Sequence, residues 1–82
     1  MDAQLKNLVV ATVTDIQDAV RSNQLGTACT KVGVLLGIYA ALSVGQNSAA
    51  NNVYDTSSNV NMDVNSIMFI TGDVEQRIAA FA

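Results

Sequence analysis

Cys29 is the only thiol in this 82-residue sequence, and there is no histidine in the chain to activate it. A nucleophilic cysteine needs a neighbouring base or cation to form thiolate at neutral pH, so Cys29 reads as a packed, inert thiol. The serines and threonines meet the same obstacle, because neither a His nor an adjacent Lys completes a triad. The acids Asp15, Asp18, Asp55, Asp63, Asp73 and Glu75 are too dispersed for a catalytic carboxylate pair or a calcium loop. They read as solvated charges on helix faces. One Cys without any His cannot cage a transition metal. Gly33 and Gly37 open neither a Gly-X-Gly-X-X-Gly loop nor a P-loop. The residues therefore predict a non-enzymatic protein with no catalytic, cofactor-binding or metal site. One chemistry survives: a response to pH would have to run through carboxylates, with Asp55, Asp63, Asp73 and Glu75 as the candidates. It would lie at about pH 4–6 unless burial raised them.

Composition narrows the classes further. Half of the residues are hydrophobic, whereas only 13% are charged, about half the share of an ordinary soluble domain. A chain this small buries only about 60–65% of its unfolded surface, so part of its apolar surface must find cover elsewhere. Four basic residues and a net charge of −3 argue against a nucleic-acid partner. The acid at Asp2 and the interrupted apolar pattern behind it do not make a cleavable signal sequence. No Asn heads an Asn-X-Ser/Thr acceptor, and the lone thiol suits a reducing compartment. The expectation is a cytoplasmic protein, with export by a route that reads no cleavable signal left open.

The elements that must carry these residues are helices. Leu5, Leu8, Val9, Val13, Ile16 and Val20 recur at three- and four-residue steps and predict an amphipathic helix over about 3–23, capped by Asp2. A turn follows at 23–27, with Gly26 in the left-handed conformation and Thr27 capping what comes next. From Val32 to Val44 the chain is nearly all apolar. A buried strand competes with a buried helix here; Ala-Ala-Leu, the length and a further pattern favour the helix. That pattern is a ridge of small residues every four positions: Cys29, Gly33, Gly37, Ala41 and Gly45. On a helix it lets a second helix approach closely.

Gln46–Asn61 is rich in Asn and Ser but has no Gly or Pro. Alternating steps of four and three run through it: Leu42, Gln46, Ala49, Val53, Ser57, Val60, Val64, Ile67, Thr71, Val74, Ile78 and Phe81. The chain thus reads as a single all-α unit, residues 1–82. It is a helical hairpin with one shorter amphipathic arm and one long, low-charge arm over about 27–81, stable only within an assembly. Gly72 is the weakest point of the long arm, and Asp73-Val74-Glu75-Gln76 resembles a capping box that would restart it.

The ridge at Gly33, Gly37, Ala41 and Gly45 fits a contact between subunits. It also fits packing against the 3–22 helix. Tyr39, Tyr54, Phe69 and Phe81 are natural core or interface anchors. Val32–Tyr54 is uncharged and long enough to span a bilayer, but its second half holds Gln46, Asn47, Ser48, Asn51 and Asn52. Membrane contact is therefore compatible with the sequence, while a stable span is disfavoured.

Leu25-Gly26, Leu36-Gly37-Ile38-Tyr39, Ala41-Leu42-Ser43 and Ser48-Ala49-Ala50-Asn51-Asn52-Val53 together resemble the structural proteins of bacterial R-bodies. These are refractile coiled ribbons linked to a killing trait. About a third of the chain carries the likeness, which implies a cytoplasmic ribbon of many copies that unrolls at low pH and ruptures a membrane. The hairpin plan, ending Val74-Glu75-Gln76-Arg77-Ile78-Ala79-Ala80-Phe81, also resembles secretion-needle subunits, although their Pro-containing turn and higher charge are missing. The expected function is self-assembly into a filament or ribbon. Its interface would comprise Gly33, Gly37, Tyr39, Ala41, Gly45, Val53, Val60, Val64, Ile67, Val74, Ile78 and Phe81, and its partners are copies of the chain, with room for a related second subunit. The alternatives are a small membrane-active peptide of the toxin or holin type and a needle- or pilus-type subunit.

Overall fold

Asp2 begins the first helix: its carboxylate accepts from the Leu5 backbone N–H at 2.7 Å. This satisfies one of the amides that a helix start leaves unpaired. The computed structural model describes residues 2–43 and 63–81 and is all-α, with helices α1 (Ala3–Arg21), α2 (Leu25–Leu42) and α3 (Val64–Ala79). The expected interface residues Gly45, Val53 and Val60 and the candidate carboxylate Asp55 lie outside the described residues.

The turn between α1 and α2 is built differently from the sequence expectation. Asn23, not Gly26, takes the left-handed conformation, with φ 58°. Its N–H donates to the Val20 carbonyl, and the Gln24 N–H donates to the Ala19 carbonyl at 2.8 Å. That pair of bonds is a Schellman closure, which needs positive φ one residue after the cap, and Asn tolerates it better than most residues. Ending α1 there leaves Leu25, Gly26 and Thr27 free to form the first turn of α2. Gln24 stands at the N-cap without a side-chain bond, so the cap expected of Thr27 is not made.

α3 brings a second correction. Gly72 is not a break but sits inside the helix, and the start lies nine residues earlier at Asp63, which accepts from the Ser66 N–H at 2.7 Å. Asp73, expected to open a capping box, instead pairs with Arg77 one turn on, at 3.0 Å.

The three helices share one core. Val9, Val13, Ile16 and Ala19 come from α1, Ala28, Cys29, Val32 and Leu35 from α2, and Ile67, Val74 and Ile78 from α3. Thr12 and Thr71 are buried among them, and each hydroxyl donates to the carbonyl four residues earlier, Leu8 or Ile67. That bond removes the cost of an unpaired buried hydroxyl. Leu8, expected in the α1 stripe, flanks it and is half exposed. Lys31 of α2 reaches Asp15 of α1 at 3.5 Å across the surface of the hairpin. Both groups are largely solvated, so this pair contributes less than about 1 kcal/mol.

Candidate assembly surface

α2 is the helix with the least charge, and one side of it is open to solvent. Thr27, Thr30, Val34, Gly37 and Ala41 are all exposed, and Gly33 and Ala40 are partly so. Steps of three and four place Thr30, Val34, Gly37 and Ala41 on one stripe. No ionisable side chain interrupts it, and the Thr30 hydroxyl is bonded back to the Gly26 carbonyl at 3.1 Å.

The small-residue ridge itself is not straight. Cys29 is buried, Gly33 is intermediate, and Gly37 and Ala41 are exposed. The reason is geometric: with 3.6 residues per turn, a four-residue step advances about 40° beyond a full turn. The ridge therefore winds from the core at Cys29 to open surface at Ala41. A Cβ added at Gly33 or Gly37 would meet nothing within 4 Å. Intrachain packing thus makes no use of their missing side chains, and the close approach to the 3–22 helix that the ridge also allowed does not occur at these positions.

The α3 members of the expected interface divide. Ile67, Val74 and Ile78 are fully buried within the chain, so in this conformation they face no neighbour. The heptad steps that singled them out register an intrachain seam. Val64 stays outward beside Met68 and Phe69, and Phe69 is 67% exposed. A shallow open depression lined by Asn65, Ser66, Phe69 and Ile70 lies along this face. Phe81 is half buried against Tyr39, ring centroids 6.3 Å apart and edge to face. The Arg77 guanidinium donates to the Asp73 carboxylate at 3.0 Å, and that carboxylate, with the Tyr39 hydroxyl as a lesser cause, pushes it further up from its ordinary value. Sequence spacing gave no sign that Tyr39 and Phe81 meet, because residues so far apart in the chain share no local period.

Of the carboxylates proposed to sense pH, Glu75 lies exposed on α3, Asp73 is paired as described, and Asp63 caps the helix. The Ser66 hydrogen bonds hold the Asp63 carboxyl below its ordinary 3.8. A depressed folded value means that this contribution is complete above 3.8 and is lost as pH falls through the lower folded value. Asp63→Ala should therefore lower the thermal midpoint at neutral pH, and the gap from the parent should close on acidification. Melting curves followed by circular dichroism check this; a gap unchanged by acid would show that the cap bond is not its source. Among the described residues no three His, Cys, Asp or Glu side chains cluster. No family model, curated protein or solved structure matches the chain.

Proposed function

We propose that this protein is a non-enzymatic structural subunit that self-assembles through helix packing into a filament or ribbon of the R-body kind. The observation that carries the reading is the outer side of α2. It offers an uncharged stripe of small and apolar residues, with the space beyond Gly33 and Gly37 empty. Helices pack closest where side chains are small, and such a stripe is costly to leave in water on a chain with few charges to keep it soluble. The Val64, Met68 and Phe69 surface of α3 is a second apolar area that neighbours would cover. Two different patches on one chain favour head-to-tail contacts, which extend into fibres when the rotation does not close. An acid response of such a polymer would run through the carboxylates, with the Asp63 cap among the last contacts to weaken, because its carboxyl is held below the ordinary value.

One observation favours a second reading. α2 is long and apolar enough, by length and composition, to cross a membrane. A small membrane-active peptide would use it as the inserting segment.

Negative-stain electron microscopy of the purified chain separates the two, at neutral pH and again near pH 4.5, where a carboxylate response is expected to fall. Ribbons or fibres with a regular repeat are the expected result, and a change of form with acid would implicate the carboxylates. Featureless small particles at both pH values, together with flotation on lipid vesicles, would replace the polymer by the membrane peptide.

A further inference from the structure

Phe69 stands on the side of α3 opposite the buried stripe Ile67, Thr71, Val74 and Ile78, and the ring is 67% exposed. It belongs to an outer stripe, Asn65, Phe69, Gly72 and Gln76, with steps of four, three and four. The outer stripe of α2, Thr30, Val34, Gly37 and Ala41, has the same steps, and neither stripe carries an ionisable side chain. Both face away from the shared core on different helices, so they cannot meet within one chain. Sizes alternate alike in the two. A large residue stands three positions before a glycine, Val34 before Gly37 and Phe69 before Gly72, and a Cβ at either glycine would meet nothing within 4 Å. Laid parallel and in step, the stripes would set Phe69 on Val34 and Gly72 on Gly37, bulk on bulk and gap on gap. Laid antiparallel, they set Phe69 over Gly37 and Val34 over Gly72, with Thr30 beside Gln76 and Ala41 beside Asn65. Close packing of helices requires that second arrangement, in which sizes interlock.

We infer that the two stripes are each other's partners: the outer stripe of α3 in one copy docks antiparallel on the outer stripe of α2 in the next, with Phe69 seated over Gly37. This contact rests on the assembly reading above and supplies its geometry. Charge favours the same pairing. α2 has no capping bond from Gln24, no acid in its first turn and no basic residue in its last. Its own side chains therefore leave both ends of its dipole uncompensated, and an antiparallel helix brings the opposite sign to each. The outer side of α1 suits α2 less well, because Lys6, Asp18 and Arg21 are exposed there and an uncharged stripe would strip them of water. Like-with-like contacts fill space poorly: α2 on α2 offers only Val34 to the glycine gaps, and α3 on α3 sets each ring beside Gln76. Since the two surfaces differ, every docked copy keeps one of each free, and the chain of copies extends.

The test uses the full chain with Cys29→Ala and two single-cysteine variants of it, Ala41→Cys and Asn65→Cys, both at exposed positions. The two are mixed where electron microscopy shows polymer and are then oxidised, and the disulfides are located by mass spectrometry. A disulfide joining position 41 of one copy to position 65 of another is the expected main product, lost when the polymer is dispersed in urea before oxidation. A main product joining 41 to 41 or 65 to 65 overturns the pairing, as does intact polymer without the mixed link. If the parent forms no polymer, the assembly reading itself falls, and the contact with it. Should either cysteine abolish the helical signal or the polymer that the parent forms, Thr30→Cys mixed with Gln76→Cys is held to the same criterion.

Discussion

Leu35→Ala should unfold most of the chain at room temperature. Leu35 is 0% exposed and belongs to α2, the helix that contributes to both the α1 and the α3 sides of the core. Truncating a buried leucine costs about 2–5 kcal/mol, through lost transfer energy and the cavity left behind. A chain of this length has on the order of 4–12 kcal/mol in all, and a small domain lies towards the low end. The cost is therefore comparable to the whole stability. Circular dichroism and urea titration of the dilute protein measure it directly. Val34→Ala, one residue earlier but 43% exposed, should move the midpoint little. Similar effects from the two substitutions would mean that α2 is not seated with Leu35 inward.

The contrast between Val34 and Leu35 also shows how far the sequence could be read. The existence and type of the helices follow from local patterns: the 3.6-residue stripe Val9, Val13 and Ile16, the Asp2 cap, and the length of the apolar run in α2. The orientation of α2 does not follow, because that run is apolar on every side and carries almost no directional signal. Only contact with α1 and α3 decides that Val32 and Leu35 turn inward while Val34 and Gly37 turn out. The turn at Asn23 was misplaced because Gly26 carries the stronger local propensity for positive φ. Tertiary placement gave that geometry to Asn, which pays a modest steric penalty for it. Likewise, Asp63 and Asp73 are each followed by a single valine, Val64 or Val74, and then by polar residues. Nothing in the local pattern tells which of them caps a helix and which pairs with an arginine. The assembly residues divided for a related reason. A heptad step looks the same whether its partner is in the same chain or the next, so Ile67, Val74 and Ile78 read as an interface although they are core.

Gly37→Leu separates the fold from the assembly, and its expected outcome is a helical, soluble chain that no longer forms polymers. Within the chain the substitution has room, because nothing lies within 4 Å of a Cβ at Gly37. Replacing an interior helix glycine with leucine gains up to about 1 kcal/mol of helix propensity. The variant should therefore melt at or above the parent temperature when dilute. At an interface of small residues the effect reverses: an added isobutyl group holds two helices apart by more than the reach of dispersion contacts, which a gap of 1 Å already halves. Polymer content, measured by sedimentation and electron microscopy, should fall to background while the circular dichroism spectrum is retained. Normal polymers from Gly37→Leu would remove the α2 face from the interface, and the Val64, Met68 and Phe69 surface would become the place to look. Loss of both fold and polymer would mean that Gly37 is packed closely within the chain, contrary to the open space around it.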